Sequence, residues 1–152
     1  MGCSPLATAL PQTIDYLDFV EEYLIEKIGI ASFDGQVFCS YEVLDTKRED
    51  IKVDVYVWAL CEEYYLVDNA LETGTGSSLP VALYLQKSDN EYRLQSYEVP
   101  KDGMGYGPSI HAIFPPIAIE CMCEGNPDCH NQRVERLELE NEQKARGYYS
   151  IK

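Results

Sequence analysis

Basic side chains are scarce in this chain: 12 Lys and Arg stand against 26 Asp and Glu, for a formal charge of -14. A field of that sign repels phosphate backbones and anionic lipid headgroups. Nucleic acid and membrane-surface partners are therefore disfavoured; a basic protein or a cationic ligand is compatible with the charge, and solubility alone is its plainer reading. Long apolar runs are also missing, since none approaches the roughly 18 residues that a membrane span needs. Histidine is limited to two copies, His111 and His130, which leaves few candidates for a Cys-His or Ser-His catalytic pair. The glycine-rich pieces Gly74-Thr75-Gly76 and Gly103-Met104-Gly105-Tyr106-Gly107 lack the Lys-Ser/Thr of a phosphate loop and read as turns. No calcium-loop pattern occurs. With 26 acids, the pairs Glu21-Glu22 and Glu62-Glu63 read as solvated faces rather than catalytic dyads. No catalytic set is recognisable.

What remains is a chain of 152 residues, 45 % hydrophobic, which is enough for one domain with a real core. Tyrosine is abundant, with 12 copies, and suits a sheet with one face incompletely covered. Residues 1–12 carry Pro5 and Pro11, show no periodicity and read as a flexible tail before a single domain spanning residues 13–152. Ile14, Leu17, Val20, Leu24 and Ile28 recur at spacings of three and four, which predicts a helix from Thr13 to Ile28 with Gly29 as its stop. Thr13 or Asp15 is placed to cap it.

Strands are expected over 36–44, from Ile51 through the following alternating run, over 79–87 and over 92–99. The charged segment 46–50 reads as a turn and Asp68–Ser78 as a loop. The polar connection 88–91 implies an antiparallel hairpin. In the second strand Ile51, Val53, Val55, Val57 and Ala59 share one face, with Lys52, Asp54, Tyr56, Trp58 and Leu60 on the other. Short helical segments should follow, one over 109–114 and another over 117–123. A last helix would start from a cap at Asp128 and stop at Gly147. Its pairs Glu140/Lys144 and Glu142/Arg146 and its thin apolar stripe predict a surface helix with a narrow contact. No heptad pattern is sustained, and a monomer is expected. The order of elements predicts an α+β fold, an N-terminal helix packed on a curved antiparallel sheet of about four strands, as in cystatin-like folds.

The six cysteines are Cys3, Cys39, Cys61, Cys121, Cys123 and Cys129. Cys39 and Cys61 fall within apolar strand patterns, where a free thiol behaves as a small hydrophobe, and this favours a cytoplasmic setting. Two alternatives concern the start of the chain. Gly2 could be myristoylated, although Leu6 stands where Ser or Thr is usual, or Cys3 could tether an extracytoplasmic lipoprotein. Between Cys121 and His130, three thiols and an imidazole lie within ten residues. Cys121, Cys123, Cys129 and His130 could ligate zinc, two of the thiols could form a disulfide around the Gly-Asn-Pro turn, or all three could stay free.

The segments Tyr41-Glu42-Val43-Leu44, Val55-Tyr56-Val57-Trp58, Glu63-Tyr64, Ser78-Leu79-Pro80-Val81, Val99-Pro100-Lys101-Asp102-Gly103 with Tyr106, Ile113-Phe114-Pro115 and Lys144-Ala145-Arg146-Gly147-Tyr148 carry a resemblance. Together they resemble a bacterial α+β family of small proteins and of extracytoplasmic extensions on regulators similar to the β-lactam-sensing membrane peptidases. The resemblance implies a non-enzymatic sensing or interaction domain, and the cysteines at 39, 61 and 121–129 depart from its pattern. The expectation is thus a binding or regulatory module contacting a protein partner or a small ligand through Trp58, Tyr64, Tyr106, His111 and Phe114. A metal or redox use of the segment 121–130 is the alternative.

Overall fold

The computed structural model describes residues 16–151, so the expectations for the tail, for Cys3 and for the caps at Thr13 and Asp15 lie outside the described residues. Helix α1 (Leu17–Lys27) leads into strands β1 (Gln36–Glu49), β2 (Lys52–Val67), β3 (Ala70–Ser88) and β4 (Glu91–Glu98). Helices α2 (Tyr106–Ile113), α3 (Pro116–Glu120) and α4 (Pro127–Tyr149) complete the chain. The four strands form one sheet in the order β1-β2-β3-β4, each pair antiparallel, as the α+β reading predicts. Among the described residues, no helix is long and apolar enough to cross a membrane.

The strands are longer than the sequence suggests, for two local reasons. Segment 46–50 is not a turn. Strand β1 runs to Glu49, because Lys47 faces Asp54 and Glu49 faces Lys52 in register, so the charges complement one another across the hairpin. Segment 68–78 is not a loop either. Asp68 and Asn69 both hold positive φ (51° and 67°), the geometry of a two-residue primed turn, and the chain returns at once as β3.

Both faces of the sheet are covered. On one, Val53, Val55, Val57, Ala59 and Cys61 of β2 pack with Val81, Leu83 and Leu85 of β3 against Val20 and Leu24 of α1 and Ile28 just after it. Burying side chains of this size contributes roughly 1.5–3 kcal/mol each. On the other, Tyr56, Trp58, Leu60 and Ala82 meet Ile110 and Phe114, then Ala118 and Met122, and Leu137 of α4. The incompletely covered face expected from the tyrosine content is thus closed at its centre by α2–α4. Ile51, expected on the apolar face, sits in the β1–β2 turn and is exposed.

Helix α4 lies deeper than its composition implies. It starts two residues earlier than expected, because Asn126 rather than Asp128 caps it: the Asn126 side chain accepts from the Cys129 N–H at 3.1 Å, with Pro127 in the first turn. It also runs past Gly147 to Tyr149. Its buried stripe is Arg133, Leu137, Asn141 and Ala145, one residue every four. Asn141 donates to the Leu60 carbonyl (3.0 Å) and to Glu62 (3.0 Å), and accepts from the Ser40 hydroxyl (2.7 Å). The expected Glu142/Arg146 pair forms at 2.9 Å. Lys144 instead reaches over the outer edge of β1, donating to the Cys39 carbonyl (2.7 Å) and meeting Glu21 of α1 at 3.3 Å. One amino group thereby joins all three layers and covers an edge carbonyl.

Candidate functional site

Glu42 and Trp58 are register partners on β1 and β2, so both project onto the face covered by α4. Arg133 settles on the pair. Its guanidinium meets the Glu42 carboxylate at 2.9 Å and lies 4.7 Å from the Trp58 ring centroid. It also donates to the carbonyls of Met122 (3.1 Å) and Cys121 (2.8 Å), and one of its nitrogens is 3.2 Å from the Cys123 sulfur. The side chain is only 2 % exposed. This one cation fixes the chain reversal between α3 and α4 against the sheet.

That reversal is closed covalently by a disulfide between Cys123 and Cys129, whose Cα atoms are 5.6 Å apart. A second disulfide joins Cys39 to Cys61, directly opposite one another in register on β1 and β2 and 4.1 Å apart at Cα. Cys121 is disulfide-bonded as well, and no described cysteine is free. The free-thiol expectation for Cys39 and Cys61 is thereby corrected. Two cysteines at facing positions of adjacent strands are close enough to bond, a relation invisible until the register is known. Of the alternatives for segment 121–130, the structure shows the disulfide, with the sulfurs of Cys123 and Cys129 joined across the Gly-Asn-Pro turn. Among the described residues, no group of three or more His, Cys, Asp or Glu is arranged to hold a metal ion.

The stapled loop forms one wall of an open cleft of about 480 Å³, lined by Trp58, Tyr106, Met122, Cys123–Pro127 and His130. Trp58 forms the floor, held by its indole N–H donating to the Ser78 hydroxyl at 2.9 Å. The His130 ring stands edge-on to it at 5.2 Å. Tyr106 enters from the start of α2, and its phenol is pushed up by burial and by the nearby Glu124 carboxylate. The other sequence candidates lie elsewhere. Tyr64 is buried near the far end of β2, bonded to Glu62 and Tyr149. Phe114 packs against Tyr56, and His111 is exposed on α2. The structure brings together Trp58, Tyr106 and His130, with Cys123 in the same wall. Arg133 behind them was missed in the sequence, and the spacing 133-137-141-145 was the available signal.

A second missed residue is Glu63, read as solvated but fully buried. Its carboxylate accepts four backbone N–H bonds, from Ser32 (3.0 Å), Phe33 (2.8 Å), Gly35 (2.7 Å) and Thr75 (3.1 Å). It faces the bulge where Gly74 and Thr75 oppose it. A Cβ on Gly74 would come within 2.6 Å of the carboxylate, which explains a glycine inside a strand. Burial pushes the Glu63 carboxyl up, but the four donors outweigh it and hold the group below the ordinary carboxylate value. A carboxyl depressed on folding contributes stability above its unfolded pKa and loses it as the pH falls through the folded value. Acid titration followed by circular dichroism should therefore show stability falling below the ordinary carboxylate range. The Glu63→Gln variant should be less stable at neutral pH and much flatter across that window; an unchanged acid slope would refute the assignment.

No family model, no curated protein and no solved structure matches this chain.

Proposed function

We propose that this chain is a non-enzymatic binding module working in an oxidising, extracytoplasmic setting, and that the cleft over Trp58 takes a cationic group presented by a protein partner or a small ligand. The observation that carries the reading is the cleft itself, in which aromatic side chains and Glu124 line a wall held in place by a disulfide and a buried arginine. Rigid aromatic surface with a carboxylate at its rim suits a cation, and the charge of -14 draws one in. Joined sulfurs at 39/61 and 123/129 support the oxidising setting, since such bonds persist outside reducing compartments.

Trp58 is the chain's one tryptophan, so its fluorescence reports on the cleft alone. Titration with a panel of Lys- and Arg-rich peptides should shift that emission saturably, and added salt should weaken the binding. The His130→Ala and Tyr106→Ala variants should each lose about tenfold in affinity, equivalent to ~1.4 kcal/mol. A panel that leaves the emission unmoved, or variants that bind like the parent, would remove the cleft from the account.

A further inference from the structure

The two assigned disulfides differ in their surroundings. Cys39 and Cys61 are almost fully buried, between the sheet and α1. Cys129 is exposed on the first turn of α4, whereas Cys123 is half-buried with its sulfur against Arg133. Cys123 also holds a φ of 66°, the left-handed region that a residue with a Cβ rarely occupies. Glu42, Glu120, Arg133 and Arg136 line the space around the two sulfurs, with Glu124 and Asp128 in the loop between them. Glu42 already faces both guanidiniums, at 2.9 and 3.2 Å, and among these charges Arg133 makes the contact to sulfur.

We infer that the Cys123–Cys129 bond is a thiol–disulfide exchange site, with Cys129 as the attacked sulfur and Cys123 as the leaving group, and that it gates the cleft. The inference rests on the cleft reading above for its consequence, but not for its chemistry. A thiolate of the glutathione class attacks Sγ of Cys129, and a new S–S bond forms there as the Cys123–Cys129 bond breaks. The bonding pair leaves on Cys123 Sγ, as a thiolate beside the Arg133 guanidinium. A second thiolate then attacks the mixed disulfide at the sulfur of the small thiol. Cys129 departs as thiolate and the small-molecule disulfide is released. Two small thiols are oxidised, one protein disulfide is reduced, and their two protons pass to solvent or to the protein thiols. A leaving thiolate stabilised by a neighbouring cation departs faster, and an exposed sulfur is the one a thiol can reach. Once open, the loop loses its staple, and with it the cleft loses the wall from Cys123 to Pro127.

Equilibrating the intact chain in graded glutathione buffers, then acid quenching, alkylation and peptide mapping, tests this. Cys123 and Cys129 should open at a glutathione ratio at least about tenfold less reducing than Cys39 and Cys61 require, and the glutathione adduct should map to Cys129. In the Cys129→Ser variant, the remaining Cys123 thiol should alkylate with a midpoint below the ordinary thiol pKa of about 8.5. The adduct on Cys123, opening of Cys39–Cys61 first or together with it, or a Cys123 midpoint at or above that value would each overturn the assignment. These readouts involve no cationic peptide, so failure of the binding reading leaves them intact. The gating step is read separately, as loss of peptide affinity on selective reduction.

Discussion

Replacing Arg133 with methionine is expected to cost about 3–5 kcal/mol of folding stability, because the change leaves a partly buried carboxylate without its main partner. Glu42 is 12 % exposed and would retain only Arg136, itself 45 % exposed and a weaker counter-ion in solvent. The carbonyls of Cys121 and Met122 would lose their donor in the same step. Adding Glu42→Gln to the variant should recover part of the loss, since it removes the uncompensated charge. Urea unfolding measures both, read as midpoint shifts at an unchanged slope. A single-variant loss under about 1 kcal/mol would reduce the arginine to an ordinary surface ion pair.

Removing the cross-strand disulfide with Cys39→Ala and Cys61→Ala together should cost about 3 kcal/mol, from the loop entropy returned to the unfolded chain. The two cysteines are 22 residues apart, against 6 for Cys123 and Cys129. On the same argument, removing the shorter staple should cost about 2 kcal/mol, and its effect should appear mainly at the cleft. The order of the two denaturation midpoints is the decisive readout. Equal midpoints, or a reversed order, would mean that neither loop length nor burial governs these bonds.

Helix α1 and the meander were legible because their signals are local. The three-four spacing through Val20 and Leu24 and the alternation through Val53, Val55 and Val57 need no knowledge of the rest of the chain. The strand ends at 46–49 and 70–78 were not, because charged and glycine-containing segments read as loops unless one sees the partner strand that neutralises Lys47 or the carboxylate that excludes a Cβ at Gly74. The site was legible only in part. Trp58 and Tyr106 stand out as aromatics, and the segment 121–130 stands out by its cysteines. Nothing in one dimension puts Glu42 beside Arg133, or Cys39 beside Cys61, which sequence separations of 91 and 22 residues hide. Glu63 was hidden for the same reason. A carboxylate that accepts only backbone donors leaves no complementary side chain in the sequence to betray it.

The joined sulfurs hold the cleft wall, and the proposed oxidising setting and exchange site both rest on them. A peptide map of the native protein, alkylated before digestion and kept free of reductant, addresses them together. It should recover one cross-linked pair carrying Cys39 with Cys61 and another carrying Cys123 with Cys129, with no label on any of the four. Alkylated Cys39 or Cys61 in the folded chain would contradict that arrangement and remove the support for the proposed oxidising setting.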